Sequence, residues 1–152
     1  LGLPLEDEGI LVEQVAGRHP LRIAVDVGLR FPLHNNAPGK VLLAWRPSEL
    51  REATLGRMSL TASTSRTITT PADLRRELDR VRESGYGTDF AEADEGIHCV
   101  AAPIFDPEAR LLATLWVSAP ARRLPRPQFA AMGRLVMAHG ATIARRLRGE
   151  GS

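Results

Sequence analysis

Phe31-Pro32-Leu33-His34-Asn35-Asn36-Ala37-Pro38-Gly39-Lys40, followed by Val41-Leu42-Leu43-Ala44-Trp45, is the stretch in which the hydrophobic pattern changes period. Upstream, Leu21, Ile23, Val25 and Val27 alternate with Arg22, Ala24 and Asp26, the two-residue period of a strand. Downstream, Val41, Leu42, Leu43 and Ala44 run together as one helical turn does. A strand therefore hands over to a helix, and Asn35 or Asn36 is placed to cap it, because a short side-chain amide accepts a bond from the first-turn backbone N–H groups. Unpaired N–H groups and the helix dipole favour an anion or a carbonyl oxygen at such a start. One wall of any site is expected here.

Working outward, residues 9–15 read as a first strand, turning at Arg18-His19-Pro20 into a second over 21–27, a hairpin with one packed and one polar face. Residues 1–8 are short, acidic and irregular, the end of a linker or the remnant of a strand. Pro47-Ser48-Glu49-Leu50 opens a short helix that Gly56 ends. Residues 60–70, rich in Ser and Thr, read as a loop able to cover a site. Thr70 then caps a helix, with Pro71 in its first position, Leu74, Leu78 and Val81 along one face, and Gly85 as its stop. Its charged residues, Asp73, Arg75, Glu77 and Asp79, read as a solvated face.

Residues 86–94 read as irregular and acidic. Residues 97–105 are apolar at both parities, the mark of a central strand covered on both faces. Asp106-Pro107-Glu108-Ala109 turns the chain into a strand over 111–118, which sets Thr114, Trp116 and Ser118 on one face. A final amphipathic helix spans 128–147, where Gly133 and Gly140 permit close approach to the sheet. Two hairpins interleaved with helices, without strand–helix alternation, give an α+β fold: a mainly antiparallel sheet flanked by helices in two or three layers.

Composition narrows the function classes. The chain has 152 residues, 43% hydrophobic and 25% charged, with a formal net charge of +2, which suits a single domain over 1–152 with one substantial core. No apolar run approaches the roughly 20 residues that span a bilayer, so a soluble, cytoplasmic protein without a membrane partner is expected. The basic residues are almost all Arg, interspersed with acids, and form no phosphate-binding stripe. The single cysteine, Cys99, rules out an internal disulfide and a multi-cysteine metal site. No Gly-rich phosphate loop, G-x-S-x-G elbow or metal-spaced histidine pair occurs. His98 and Cys99 are adjacent on a strand, point to opposite faces and cannot act as a base–nucleophile pair. Asp89, Glu92, Asp94 and Glu95 read as a solvated acidic loop rather than a cation site. No enzyme activity, metal or cofactor is expected. His34 reads as a structural hydrogen-bonder, Lys40 as a solvated residue on the first helix, and Cys99 as a small buried hydrophobe.

Phe31-Pro32-Leu33-His34, Ala37, Gly39-Lys40 and the following Leu-Leu-Ala, Gly85-Tyr86, Asp89, residues 95–106 and Val117-Ser118-Ala119-Pro120 occur in one order and spacing. Together they resemble the effector-binding domain of the IclR family of bacterial transcriptional regulators. The resemblance runs from about residue 9 to 147. It implies a GAF-like fold with a six-stranded antiparallel sheet, and a homodimer or tetramer. It also implies operator DNA as a partner only through an N-terminal winged helix-turn-helix domain, which is absent here.

Carried over position by position, it implies that a small organic effector meets the backbone at Ala37 and Pro38 and the side chains of Asp89, Cys99, Trp116 and Ser118, with Ile23 and Phe31 as walls. Pro38 has no backbone N–H, and Trp116 stands where some relatives use a small hydroxyl residue. Both changes weaken a carboxylate site, so an effector that is aromatic or only weakly acidic is expected, with the Trp116 indole as a stacking face. The alternative is a ligand-blind oligomerisation module whose pocket Trp116 fills.

Overall fold

A computed structural model of the chain describes residues 1–18, 23 and 25–150. Its centre is one antiparallel sheet of six strands. In chain order these are β1 (Gly2–Pro4), β2 (Glu8–Leu11), β3 (Arg30–Pro32), β4 (Gly87–Phe90), β5 (Ile97–Phe105) and β6 (Leu111–Pro120), arranged in space as β3-β2-β1-β6-β5-β4. Four α-helices accompany them: α1 (Ala37–Ala44), α2 (Ser48–Arg57), α3 (Pro71–Ser84) and α4 (Phe129–Leu147). The expected six-stranded antiparallel α+β architecture is what the chain adopts.

The apolar run of β5 explains the layering. Its odd positions Cys99 and Ala101 pack with Leu33, Val41, Leu42, Leu74 and Leu78 beneath α1 and α3. Its even positions Val100 and Ala102 pack with Leu124, Phe129 and Val136 beneath α4. Both faces are thus covered, as apolarity at both parities requires. Gly140 lets α4 approach: a β-carbon there would stand 2.8 Å from the Pro103 carbonyl oxygen. Helix α3 has the expected ends. Thr70 accepts from the Asp73 N–H, and Gly85 closes the helix at φ +82°, a backbone region that suits glycine.

Three readings of the sequence change. Of the strand expected over 21–27, residues 21, 22 and 24 lie outside the described residues, and the described remainder is not strand. Val25 and Val27 are exposed, so their alternation meets no packed layer. Strand β2, which stops at Leu11, pairs instead with β1 and β3. Gly9 lies opposite Phe31 in that ladder, and the phenyl ring covers it so closely that a β-carbon would stand 2.2 Å away. This aromatic-on-glycine contact, absent from any periodicity, sets the edge of the sheet. Residues 1–8 supply β1 rather than irregular chain, and residues 86–94 supply β4. Strand β4 contains Gly87 and Asp89, both poor strand formers, and its ladder with β5 overrides that preference.

Candidate functional site

Strand register places the polar candidates in a row. Asp89 is opposite Cys99 in the β4–β5 ladder, and Cys99 is opposite Ser118 in the β5–β6 ladder. Residues directly opposite share a face, so three strands contribute three neighbouring polar side chains on the α1 side. Cys99 Sγ and Ser118 Oγ share a hydrogen bond of 3.0 Å. The next row on that face is Gly87, Ala101 and Trp116, and Trp116 meets Phe31 edge to face with centroids 5.7 Å apart.

Asp89, Cys99, Ser118, Trp116 and Phe31 line one hollow of about 780 Å³. Asn36 and Pro38 at the start of α1, Ile23 and Leu29 ahead of β3, and Leu11 of β2 complete its walls. Ile23, Phe31, Pro38, Asp89, Cys99, Trp116 and Ser118 therefore converge. Ala37 does not line it. Ala37 is wholly buried, with its carbonyl against Gly87, where a β-carbon would come within 2.9 Å. Trp116 lies along the wall and leaves the hollow open.

The helix start offers fewer donors than a bare N-terminus. Asn36 is the cap, its Oδ1 accepting the Gly39 N–H at 2.8 Å, and Pro38 has none. Of the first three helix amides, that of Ala37 remains. The Asn36 Nδ2 donates to the Pro32 carbonyl at 2.7 Å, and the Asn35 Nδ2 to Ser63 Oγ at 2.9 Å, so both side-chain amides are engaged.

Electrostatically the floor is acidic and otherwise neutral. Burial pushes the Asp89 carboxyl up to about 6 and the Glu92 charge adds to this, while the Glu92 N–H, donated to Asp89 Oδ1 at 2.7 Å, opposes it. Burial pushes the Cys99 thiol up to about 12, so Cys99 is a neutral hydrogen-bonding group and not a nucleophile. Of the cations along the lining, Arg30 sits at the rim and bonds Glu8 at 3.4 Å.

Lys40 corrects a second set of readings. It is 0% exposed rather than solvated, because α1 is buried along its whole length. Its Nζ donates to Glu92 Oε1 at 2.7 Å, Glu92 Oε2 at 2.9 Å and Glu77 Oε1 at 2.8 Å. Glu77 thus belongs to a buried network and not only to a solvated face. Burial works to raise its carboxyl, but the Arg80 hydrogen bond and the Lys40 charge hold it below its ordinary value. Asp89 and Glu92 are likewise buried, so the stretch read as a solvated acidic loop is half internal.

The remaining candidates are structural. His34 Nε2 bonds the Thr61 carbonyl at 3.0 Å. His98 Nδ1 bonds the Leu124 carbonyl at 2.8 Å on the face away from Cys99, with its ring 4.7 Å from that of Phe90. Among the described residues no three His, Cys, Asp or Glu side chains are grouped to hold a metal, and no helix is long and apolar enough to cross a membrane. Sequence reasoning missed Gln14, which lines the hollow with a buried Oε1 that has no hydrogen-bond partner. It stands after β2, where no pattern flags it.

Residues 1–145 match the family model for the C-terminal region of the bacterial transcriptional regulator IclR. The HTH-type transcriptional regulator KdgR of Escherichia coli is 40% identical over 123 residues, covering 81% of this chain and 47% of that protein. The chain thus spans about half the length of the curated relatives it matches. The crystal structure of the Thermotoga maritima IclR superposes with a TM-score of 0.87 at 31% identity, covering 96% of this chain and 59% of that one. The inducer-binding domain of PobR from Acinetobacter shares the fold, with a TM-score of 0.82 at 22% identity over 95% of this chain and 85% of that one.

Proposed function

The chain belongs to the IclR family of bacterial transcriptional regulators, matching its C-terminal domain over residues 1–145, and we propose that it is the effector-sensing domain of such a regulator. A small organic metabolite enters the hollow, binds one conformation of the regulator better than the other, and so shifts its operator-binding state. Operator contact is assigned to a helix-turn-helix domain outside this chain, and the working unit to a homodimer or tetramer in the cytoplasm.

The observation that carries this reading is the convergence of Asp89, Cys99 and Ser118 with Phe31 and Trp116 around one hollow of about 780 Å³. Its chemistry selects the effector. A bare carboxylate of two or three carbons finds an acidic floor, a helix start missing one amide at Pro38, and mostly apolar walls. An aromatic acid or phenol lays its ring against the wall that Trp116 and Phe31 form together and a hydroxyl on Asp89, with Cys99 and Ser118 as small polar contacts. The related PobR domain has been crystallised as a double mutant with 3-hydroxybenzoic acid, and that compound is the first probe. The alternative of a ligand-blind module finds less support, since Trp116 flanks the space instead of occupying it.

Calorimetric titration tests the reading. 3-Hydroxybenzoate is expected to bind at least ten-fold more tightly than pyruvate or glyoxylate, and Trp116→Ser to abolish the difference. Tight binding of pyruvate or glyoxylate alone contradicts the effector class. No binding and no thermal stabilisation across acids, phenols and sugars favours the ligand-blind module.

A further inference from the structure

Lys40 is the one lysine of the chain and is fully enclosed, yet it does not line the hollow. Its three N–H donors are all used, two on the Glu92 carboxylate and one on Glu77. Glu92 in turn is held by its backbone. Its N–H donates to Asp89 Oδ1 at 2.7 Å, and its carbonyl accepts from Thr67 Oγ1 at 2.7 Å. Thr64 Oγ1 donates to the neighbouring Ala91 carbonyl at 2.8 Å. Ala91 itself sits at φ +59°, in the left-handed region that a residue with a β-carbon adopts only when its surroundings impose it. The turn from Asp89 to Glu92 is therefore strained and braced, with Lys40 on one side and the 59–70 loop on the other.

We propose that Lys40 is a positioning residue of the effector pocket: through Glu92 it fixes the strained 89–92 turn and thereby the place of the Asp89 carboxyl at the pocket floor. The proposal rests on the reading of the hollow as an effector site and deepens it. Helix α1 makes the link geometrically direct, since Pro38 lines the hollow and Lys40, two residues on, reaches the brace. Stability alone gives a weaker account of the network. A buried ion pair loses hydration on both partners, and its replacement by apolar side chains of similar volume is often neutral or stabilising. An enclosed lysine that brackets a strained turn beside the pocket is better explained by what it holds in place.

The test uses the double variant Lys40→Met/Glu92→Leu, which removes the brace while keeping the volume filled and leaves Glu77 paired with Arg80. Glu92→Gln serves as a milder second variant that retains the Lys40–Glu77 bond. Hydrogen exchange of the amide at position 92 is read first, because it needs no ligand. It is expected to speed up at least ten-fold in the double variant while amides of α3 and β5 keep their rates. 3-Hydroxybenzoate affinity is read next and is expected to fall at least ten-fold with the melting temperature little changed.

Unchanged exchange at position 92, or unchanged affinity in a folded variant, overturns the proposal. Loss of affinity only in proportion to lost stability does so too. If the unmodified chain binds no 3-hydroxybenzoate, the effector reading fails on that count, and the exchange rate still decides whether Lys40 holds the turn.

Discussion

Trp116 lies over Gly2: a β-carbon at position 2 would stand 3.0 Å from the indole Cζ3 and 3.2 Å from Phe31 Cζ. Gly9 sits beneath Phe31 in the same way, at 2.2 Å. The aromatic wall of the hollow thus packs against two glycines in β1 and β2. Gly9→Ala is expected to destabilise the fold by about 1–3 kcal/mol, the usual cost of forcing an extra group into a packed contact, as read by urea denaturation. Gly2→Ala, with more room, is expected to leave stability within about 1 kcal/mol and to shift the Trp116 emission, measured in a Trp45→Phe background.

The row across β4, β5 and β6 makes a prediction about pH. Asp89 has its carboxyl raised from 3.8 to about 6, so the folded state holds its proton more firmly than the unfolded chain does. Its favourable contribution is complete below about pH 4 and is lost as pH rises through about 6. Above that, the buried carboxylate lowers stability by about 3 kcal/mol relative to acid conditions. The stability difference between the unmodified chain and Asp89→Asn is therefore expected to move by up to that amount, against the unmodified chain, between pH 4 and pH 7. A flat difference contradicts the assignment.

Cys99 is predicted to be inert. With its thiol pushed up to about 12 by burial, almost no thiolate exists at neutral pH. Iodoacetamide at pH 8 is expected to leave the folded chain unmodified by mass, and to label Cys99 once urea unfolds it. Rapid labelling of the folded chain contradicts the closed floor.

Helix α3 offers a control remote from the hollow. Thr70 Oγ1 accepts the Asp73 N–H at 3.2 Å and donates to the Asp73 carboxylate at 2.6 Å. Thr70→Ala is expected to destabilise the chain by about 1 kcal/mol with no change in ligand affinity.

What could be read beforehand follows a physical line. Thr70, Pro71 and Gly85 act within a few residues of themselves, so the bounds of α3 were legible. The two-parity apolarity of residues 97–105 reported a strand covered on both faces, and Cys99 and Val100 now pack on opposite sides. Cys99 and Ser118 were brought to one site only by the family resemblance, and the antiparallel register of β5 and β6 is what puts them side by side. Lys40, Glu77 and Glu92 were not, since 52 residues separate Lys40 from Glu92 and a charge pattern looks the same whether it faces water or its partner. Strand β4 was hidden for a related reason: Gly87 and Asp89 become strand only because β5 offers a ladder. At the described residues 23 and 25–27 the alternation did not become strand, because periodicity records a capacity to pair and not whether a partner is there.

Amide shift mapping of the 15N-labelled chain with 3-hydroxybenzoate tests the central claim most directly. The account predicts perturbations concentrated at Phe31, Asn36, Asp89, Cys99, Trp116 and Ser118. Shifts gathered instead around the smaller hollow lined by His34, Arg57, Met58 and Ser59, or scattered over several surfaces, would contradict it.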